Sequence, residues 1–249
     1  MYAQPQAWHL GAGMNILDRL MAVNVDDIPH DKVNYDQVPV RLLKSDFLER
    51  FTHVTPQAVL AIWLPVVAFF LVKGALNWPA TASPLWYGVA FLFGMALLWT
   101  FLEYVVHRFV FHFRPRSRTQ WQLIFLFHGV HHYQPHIKTR LVMPPAVSIP
   151  GAIFFYALFY LVLDVILGLP FLVAPMFAGT VLGYVGYDMI HYATHHLPAK
   201  GSVMKFLKRH HMEHHYKTPD ARFGVSTSLW DQVFHTEPDD STQPARRQA

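Results

Sequence analysis

Four apolar stretches fill most of the middle of this chain, and each approaches the length that crosses a bilayer. They run from Ala58 to Leu76, Leu85 to Leu102, Leu141 to Leu163 and Val165 to Tyr187. The first carries one charge, Lys73, near its end; the second carries none. The last two are uncharged and separated only by Asp164. A helix needs about 20 apolar residues to cross the hydrocarbon core. From Leu141 to Tyr187 the chain would reach roughly 70 Å as helix, enough for two spans, and Gly168-Leu169-Pro170 supplies turn chemistry between them. Apolar runs this long rarely tile a soluble chain. Charged residues make up 14% of the sequence, against about 25% in soluble domains.

The basic residues test this topology. Lys73 is the only one of 20 Lys and Arg between the start of the first span and the end of the second, and the fourth span and its preceding turn contain none. The others fall in residues 1–57, 103–140 and 188–249. Two hairpins place those three segments on one side, and the positive bias makes that side cytoplasmic. The expected organisation is a cytoplasmic or interfacial segment (1–57), a single membrane-embedded domain (58–236) and a polar tail (237–249). Met1 to Leu20 lacks a basic start followed by an apolar core, so no secretory signal is expected. Both termini should face the cytoplasm, across a bacterial inner membrane or the endoplasmic reticulum depending on source. Trp121 to Phe127 is too short to span and is expected to be an interfacial helix. Arg114, Arg116 and Arg118 are expected to face anionic headgroups.

The polar part of the chain is dominated by histidine: 17 His against 16 Asp plus Glu, with no Cys. Thiolate zinc sites, disulfides and cysteine-bound iron–sulfur clusters are therefore excluded. Thirteen of the histidines lie between residues 107 and 215, and none falls within the second hairpin. His107 and His112 follow the second span. His128, His131 and His132 form H-G-V-H-H. His191, His195 and His196 follow the fourth span in H-Y-A-T-H-H. His211, His214 and His215 form H-M-E-H-H. The topology derived from hydropathy and charge puts all four clusters on one face.

Residues at i, i+3 and i+4 share a side of a helix, so each H-x-x-H-H aims three imidazoles one way. His191 and His195 are similarly spaced. His107 and His112 stand about 140° apart on an ideal helix; they either embrace a site from two sides or sit where the helix is distorted. At least ten candidate nitrogens are more than one ion needs, and two ions with five each fit better. Imidazole suits zinc, copper, iron and nickel alike. Ligands hanging from the ends of lipid-embedded helices point to an acyl chain or sterol entering from the bilayer. Attack on its unactivated C–H bonds calls for a strong oxidant, usually iron with dioxygen.

Here the sequence resembles the fatty acid hydroxylase branch of the sterol desaturase-like superfamily of membrane di-metal oxygenases, and within it the fatty acid (ceramide) 2-hydroxylases. The likeness rests on His107-Arg108-Phe109-Val110-Phe111-His112, His128-Gly129-Val130-His131-His132-Tyr133, Arg140-Leu141-Val142-Met143-Pro144-Pro145 and Gly186-Tyr187-Asp188. It continues through His211-Met212-Glu213-His214-His215-Tyr216-Lys217, Phe223-Gly224-Val225 and Trp230-Asp231.

The resemblance implies an all-α integral membrane fold: four transmembrane helices in two hairpins, with a cytoplasmic helical cap holding the di-metal site. It implies as ligands His107, His112, His128, His131, His132, His191, His195, His211, His214 and His215. It implies two iron ions, replaced by zinc in some recombinant material, with dioxygen as co-substrate and a lipid acyl chain as substrate. Several eukaryotic members carry an amino-terminal haem domain. Residues 1–57 are too short for one, so electrons are expected from a separate protein.

His196 and His210 are extra neighbours of the clusters, and His136, His9, His30, His53 and His235 are expected to be structural or exposed. Glu103 and Asp188 stand one turn and three residues before ligand histidines, and Glu213 lies inside a cluster. Each either accepts a proton from a ligand imidazole and orients it or is a carboxylate at the headgroup level. Gly11-Ala12-Gly13 lacks the strand–turn–helix context of a nucleotide fingerprint. Nucleic-acid binding is not expected, because the positive charge tracks membrane topology. The competing activities are desaturation or sterol oxidation at the same site, and, outside enzymes, metal binding or transport.

Overall fold

The computed structural model describes residues 15–29 and 32–238. Expectations for His9, His30, Gly11-Ala12-Gly13 and most of the 237–249 tail lie outside the described residues. Four helices are long and apolar enough to cross a membrane: α1 (Pro56–Leu76), α2 (Leu85–Phe111), the segment Lys138–Ile166, whose continuous helix α4 covers 145–166, and α5 (Pro170–His196). Their mean hydropathies are 2.3, 1.9, 2.1 and 1.3. Shorter helices among the described residues include α3 (118–133) between the hairpins, α6 (Gly201–Tyr216) and α7 (Leu229–Val233), with single-turn helices at Ile16–Leu20 and Asp46–Arg50. No β-strand forms among the described residues; one isolated bridge pairs Met21 with Leu43.

Local chemistry sets the helix ends. Thr55 caps α1 by accepting from the Ala58 N–H, and Pro56 takes the first turn, where its missing N–H costs nothing. Gly168, at φ +66°, closes the turn between α4 and α5 where it was expected.

The least apolar span, α5, is the central one. Its Phe177, Ala178, Val181, Tyr184, Val185 and Tyr187 are buried against Val59, Trp63 and Val67 of α1 and Phe159 of α4. The outer helices present Phe69, Val72 and Leu76 of α1, and Ile153, Phe154 and Ile166 of α4, to the exterior. A span surrounded by protein can carry polar residues that a lipid-facing helix cannot, and α5 carries Asp188, His191 and His195.

The starts of the two hairpins are tied together. The Val54 N–H donates to the Thr139 carbonyl at 2.7 Å, and His53 Nδ1 lies 2.7 Å from Thr139 Oγ1. The ends of α2 and α5 therefore lie at this same level. Both run farther than hydropathy suggested, past Leu102 to Phe111 and past Tyr187 to His196. Their histidines sit on the spans' own last turns.

The expected interfacial helix is longer, and its buried face is covered by protein. Trp121, Ile124 and Phe125 of α3 pack on Met21, Val25, Ile28 and Leu42, and the Trp121 indole donates to the Val25 carbonyl. Arg118 likewise departs from expectation. It pairs with the carboxylates of Asp18 and Asp26 in the amino-terminal segment. Arg114 and Arg116 are exposed.

Candidate metal centre

The ten candidate histidines converge into two groups of five. His107, His112, His128, His132 and His214 form one; His131, His191, His195, His211 and His215 form the other. Within each group one nitrogen per ring lies within 4.8 Å of all the others. Neighbouring positions in sequence divide between groups, His131 from His132 and His214 from His215, because adjacent helical residues point about 100° apart. The His132 and His215 rings stack at 4.0 Å, face to face between the groups.

His107 and His112 reach one group because the helix between them is distorted. Residues His107–Phe111 form a π-turn, closed by the His112 N–H donating to the His107 carbonyl at 3.0 Å. The wider turn brings the two imidazoles closer in direction than an α-helix would, and both enter the same group.

The spacing inside the groups suits a cation. Nε2 of His107 lies 3.1 Å from that of His128, and Nε2 of His214 lies 3.1 Å from that of His112. In the second group, His131 Nε2 lies 2.9 Å from His191 Nε2 and 3.0 Å from His215 Nε2. Nδ1 of His107 donates to the Phe223 carbonyl, and Nδ1 of His214 donates to the Ala221 carbonyl at 2.7 Å. With the ring proton on Nδ1, each Nε2 presents a lone pair. Lone pairs aimed together repel unless a cation lies between them. Two nitrogens about 2.1 Å from one ion, at right angles, stand about 3.0 Å apart, the spacing found.

Burial first, then the neighbouring imidazoles, holds His112, His128, His131, His211 and His215 well below the ordinary imidazole range. Burial likewise depresses His214, and His132 falls to about 3. All are neutral at physiological pH, the form that binds metal.

The carboxylates act differently from expectation. Glu103 forms no hydrogen bond with a histidine among the described residues. It accepts from the Val225 N–H at 2.6 Å, the Ser226 N–H at 2.8 Å and the Ser226 hydroxyl. Asp188 accepts from the Met143 N–H, 3.3 Å from either oxygen, and not from His191. Glu213 pairs with Arg222 and Lys217. In each case a nearby donor from backbone or cation claims the acceptor.

His196 and His210 join neither group. His210 lies 3.2 Å from Asp231, whose carboxylate accepts from the Phe223 and Gly224 N–H groups. His136 bonds the Asp36 carbonyl, His53 lies beside Arg140, and His235 is exposed.

Sequence reasoning missed the roles of Ser226, Asp231 and the Ala221 and Phe223 carbonyls. With Glu103, they form a brace behind the first group. The only signal was that Phe223-Gly224-Val225 and Trp230-Asp231 carry part of the family resemblance.

Two adjoining cavities with shared walls lie beside the histidines. One of about 340 Å³ is lined by His128, His131, His191, Arg140, Met143 and Tyr187. The other, about 300 Å³, lies deeper among Trp63, Trp99, Phe155, Phe177 and Tyr184. They share Phe111, Phe127, Met143, Val147 and Tyr187 as walls. A third, about 360 Å³, reaches His112, His132 and His215 from the face bearing Lys32 and Lys217.

The chain matches the fatty acid hydroxylase family over residues 91–236. It is 37% identical over 217 residues to fatty acid 2-hydroxylase of Mus musculus, covering 80% of this chain and 56% of that protein. It is 38% identical over 201 residues to dihydroceramide fatty acyl 2-hydroxylase FAH2 of Arabidopsis thaliana, covering 80% of each. A solved structure of full-length scs7p, in which only the hydroxylase domain is visible, superposes with a TM-score of 0.71 at 37% identity. That match covers 80% of this chain and 72% of the other. The chain thus spans about half the length of the mammalian relatives it matches.

Proposed function

Because the chain belongs to the fatty acid hydroxylase family, we propose that it is a membrane-embedded oxidoreductase that hydroxylates lipid acyl chains at the carbon next to the carbonyl. The observation that carries this reading is an apolar double cavity ending on His128, His131 and His191, members of both histidine groups. The relatives named above are 2-hydroxylases of fatty acids and of dihydroceramide fatty acyl chains.

The ten histidines serve as ligands to two ions, iron in the working enzyme and zinc in some recombinant material. Bound iron supplies the power to reduce dioxygen and to take hydrogen from an unactivated C–H bond. The reaction balances as one C–H bond replaced by C–OH, with the second oxygen atom leaving as water. It consumes two electrons and two protons, and the electrons come from a separate donor protein.

The chain's own residues do the rest. Trp63, Trp99, Phe155 and Phe177 surround the tail, and Phe111, Phe127, Met143 and Tyr187 guide it toward the histidines. Apolar walls keep bulk water from the reacting carbon. The Phe223 and Ala221 carbonyls fix the tautomers of His107 and His214, leaving Nε2 free to bind metal. The cavity beside Lys32 and Lys217 gives dioxygen and protons a route from the aqueous side.

The site and both termini face the cytoplasm. A cysteine placed at Ser117 or Ser241 should resist a membrane-impermeant label added outside intact cells, and labelling of either would refute this orientation.

The activity is tested by lipid mass spectrometry of cells with and without the gene, with metal analysis of the purified protein. Hydroxylation adds one oxygen to an acyl chain, whereas desaturation removes two hydrogens. Less than one metal per folded chain would sink the di-metal reading.

A further inference from the structure

We propose that Arg140 holds the carbonyl oxygen of the acyl substrate and so decides which carbon faces the histidines; this rests on the hydroxylase reading above. Arg140 is 7% exposed and lines the 340 Å³ cavity together with His128, His131 and His191. One of its nitrogens is engaged: Nη2 donates to Glu49 Oε1 at 2.6 Å and lies 3.0 Å from His53 Nε2. Its Nε and Nη1 are closed off from solvent and have no hydrogen-bond partner among the described residues. A buried guanidinium with donors left unused is destabilising unless something accepts from them. Arg140 stands at the wall of an apolar cavity, so a small turn of its side chain gives these donors an acceptor in an oxygen arriving with the occupant.

The charges around Arg140 say which kind of oxygen. Glu49 is its counter-ion and is itself held by the Leu42 and Leu43 N–H groups, at 3.1 and 2.7 Å. Asp188 lines the same cavity. The Arg140–Glu49 pair is neutral as it stands. A free carboxylate would bring an uncompensated negative charge into a low-dielectric site, which is costly. A neutral carbonyl in amide or ester linkage meets the unused donors without that cost. The chemistry therefore favours an N-acyl or O-acyl lipid over a free fatty acid.

The same contact explains position. An acyl chain has one strong acceptor, the oxygen on its first carbon. With that oxygen at Arg140, the next carbon is the nearest that can face His128, His131 and His191. The remaining chain runs past Met143, Val147 and Tyr187 into the deeper cavity. Arg140 is thus a positioning residue that acts on regiochemistry and on the choice of linkage.

The test uses the full chain in detergent, loaded with iron and supplied with dioxygen and a chemical reductant for turnover, with hexadecanamide and hexadecanoate as probes. Binding is read by thermal shift across a concentration series, the hydroxylated carbon by mass spectrometry, and metal per chain by elemental analysis. In the unaltered protein hexadecanamide should bind more tightly than hexadecanoate. Arg140→Gln should retain its metal, bind hexadecanamide roughly 10- to 100-fold more weakly and spread the hydroxyl beyond the second carbon. Arg140→Lys should restore part of that selectivity. Glu49→Gln leaves the guanidinium charge unbalanced and should reverse the preference toward hexadecanoate.

Unchanged amide affinity and unchanged hydroxyl position in Arg140→Gln would overturn the proposal. Should Arg140→Gln lose its metal and fold, Arg140→Lys and Glu49→Gln decide: no change in linkage preference in either overturns it too. Amide binding that depends on Arg140, in a protein that inserts no oxygen, would uphold the carbonyl site and refute the hydroxylase reading instead.

Discussion

Replacing Glu103 with Ala should weaken one metal group and spare the other, although Glu103 forms no hydrogen bond with either. Glu103 is 4% exposed and accepts three hydrogen bonds, from the Val225 N–H, the Ser226 N–H and the Ser226 hydroxyl. Hydrogen bonds to a charged group are worth about 1.5–3 kcal/mol each. Removing the carboxylate recovers part of that sum, because a buried charge no longer has to be desolvated. The Val225 N–H, on a residue 1% exposed, is then left without an acceptor. A net loss of about 3 kcal/mol follows, or a melting temperature lower by roughly 6–12 °C in a chain of this size.

The segment so released carries the Phe223 and Ala221 carbonyls that orient His107 and His214. Loss of such an orienting partner costs about 10–100-fold in metal affinity. In the second group, Nδ1 of His131 and His211 has no partner among the described residues, so nothing comparable is lost there. The assay is chelator competition on purified protein beside a thermal scan. A His195→Ala background, which removes a ligand of the second group alone, makes the remaining ion report the first. Equal loss from both groups, or full stability with both ions retained, would refute the argument.

Three further outcomes are expected. His211→Ala and His214→Ala should each lose metal from their own group, with hydroxylation abolished, whereas His210→Ala, whose ring faces Asp231, should keep both ions and lose only modest stability. Elemental analysis checks this, and a metal-free His210→Ala would reverse the assignment. Gly179→Ala should destabilise the protein by about 1–3 kcal/mol, since its new Cβ would stand 2.0 Å from the Phe91 carbonyl oxygen between α2 and α5. Gly186→Ala meets no described atom within 4 Å and should melt as the parent does. In metal-free protein, stability should be full above about pH 6.5 and decline below it. Unfolded imidazoles take up protons from about 6.5, while the folded ones, His132 at about 3 among them, do not. Thermal scans showing a flat profile down to about pH 5 would contradict the neutral cluster.

What could be read from the sequence was what depends on near neighbours along the chain. Four apolar runs of spanning length, one turn at Gly168 and the H-x-x-H-H spacings are local patterns, and they located the spans and the histidine clusters, from which the family resemblance singled out the ten that converge. The fold decided what depends on partners far away. It placed His131 and His132 in different groups, because each group draws rings from helices distant in sequence. A π-turn, invisible to an ideal helical wheel, brought His112 into the same group as His107. Glu103 and Asp188, beside histidines in sequence, turned to backbone N–H groups at Val225 and Met143 instead. A buried carboxylate goes to the donors that reach it in space, and here those come from segments 122 and 45 residues away. Hydropathy and spacing carry no record of such meetings, because they arise only when separate helices pack.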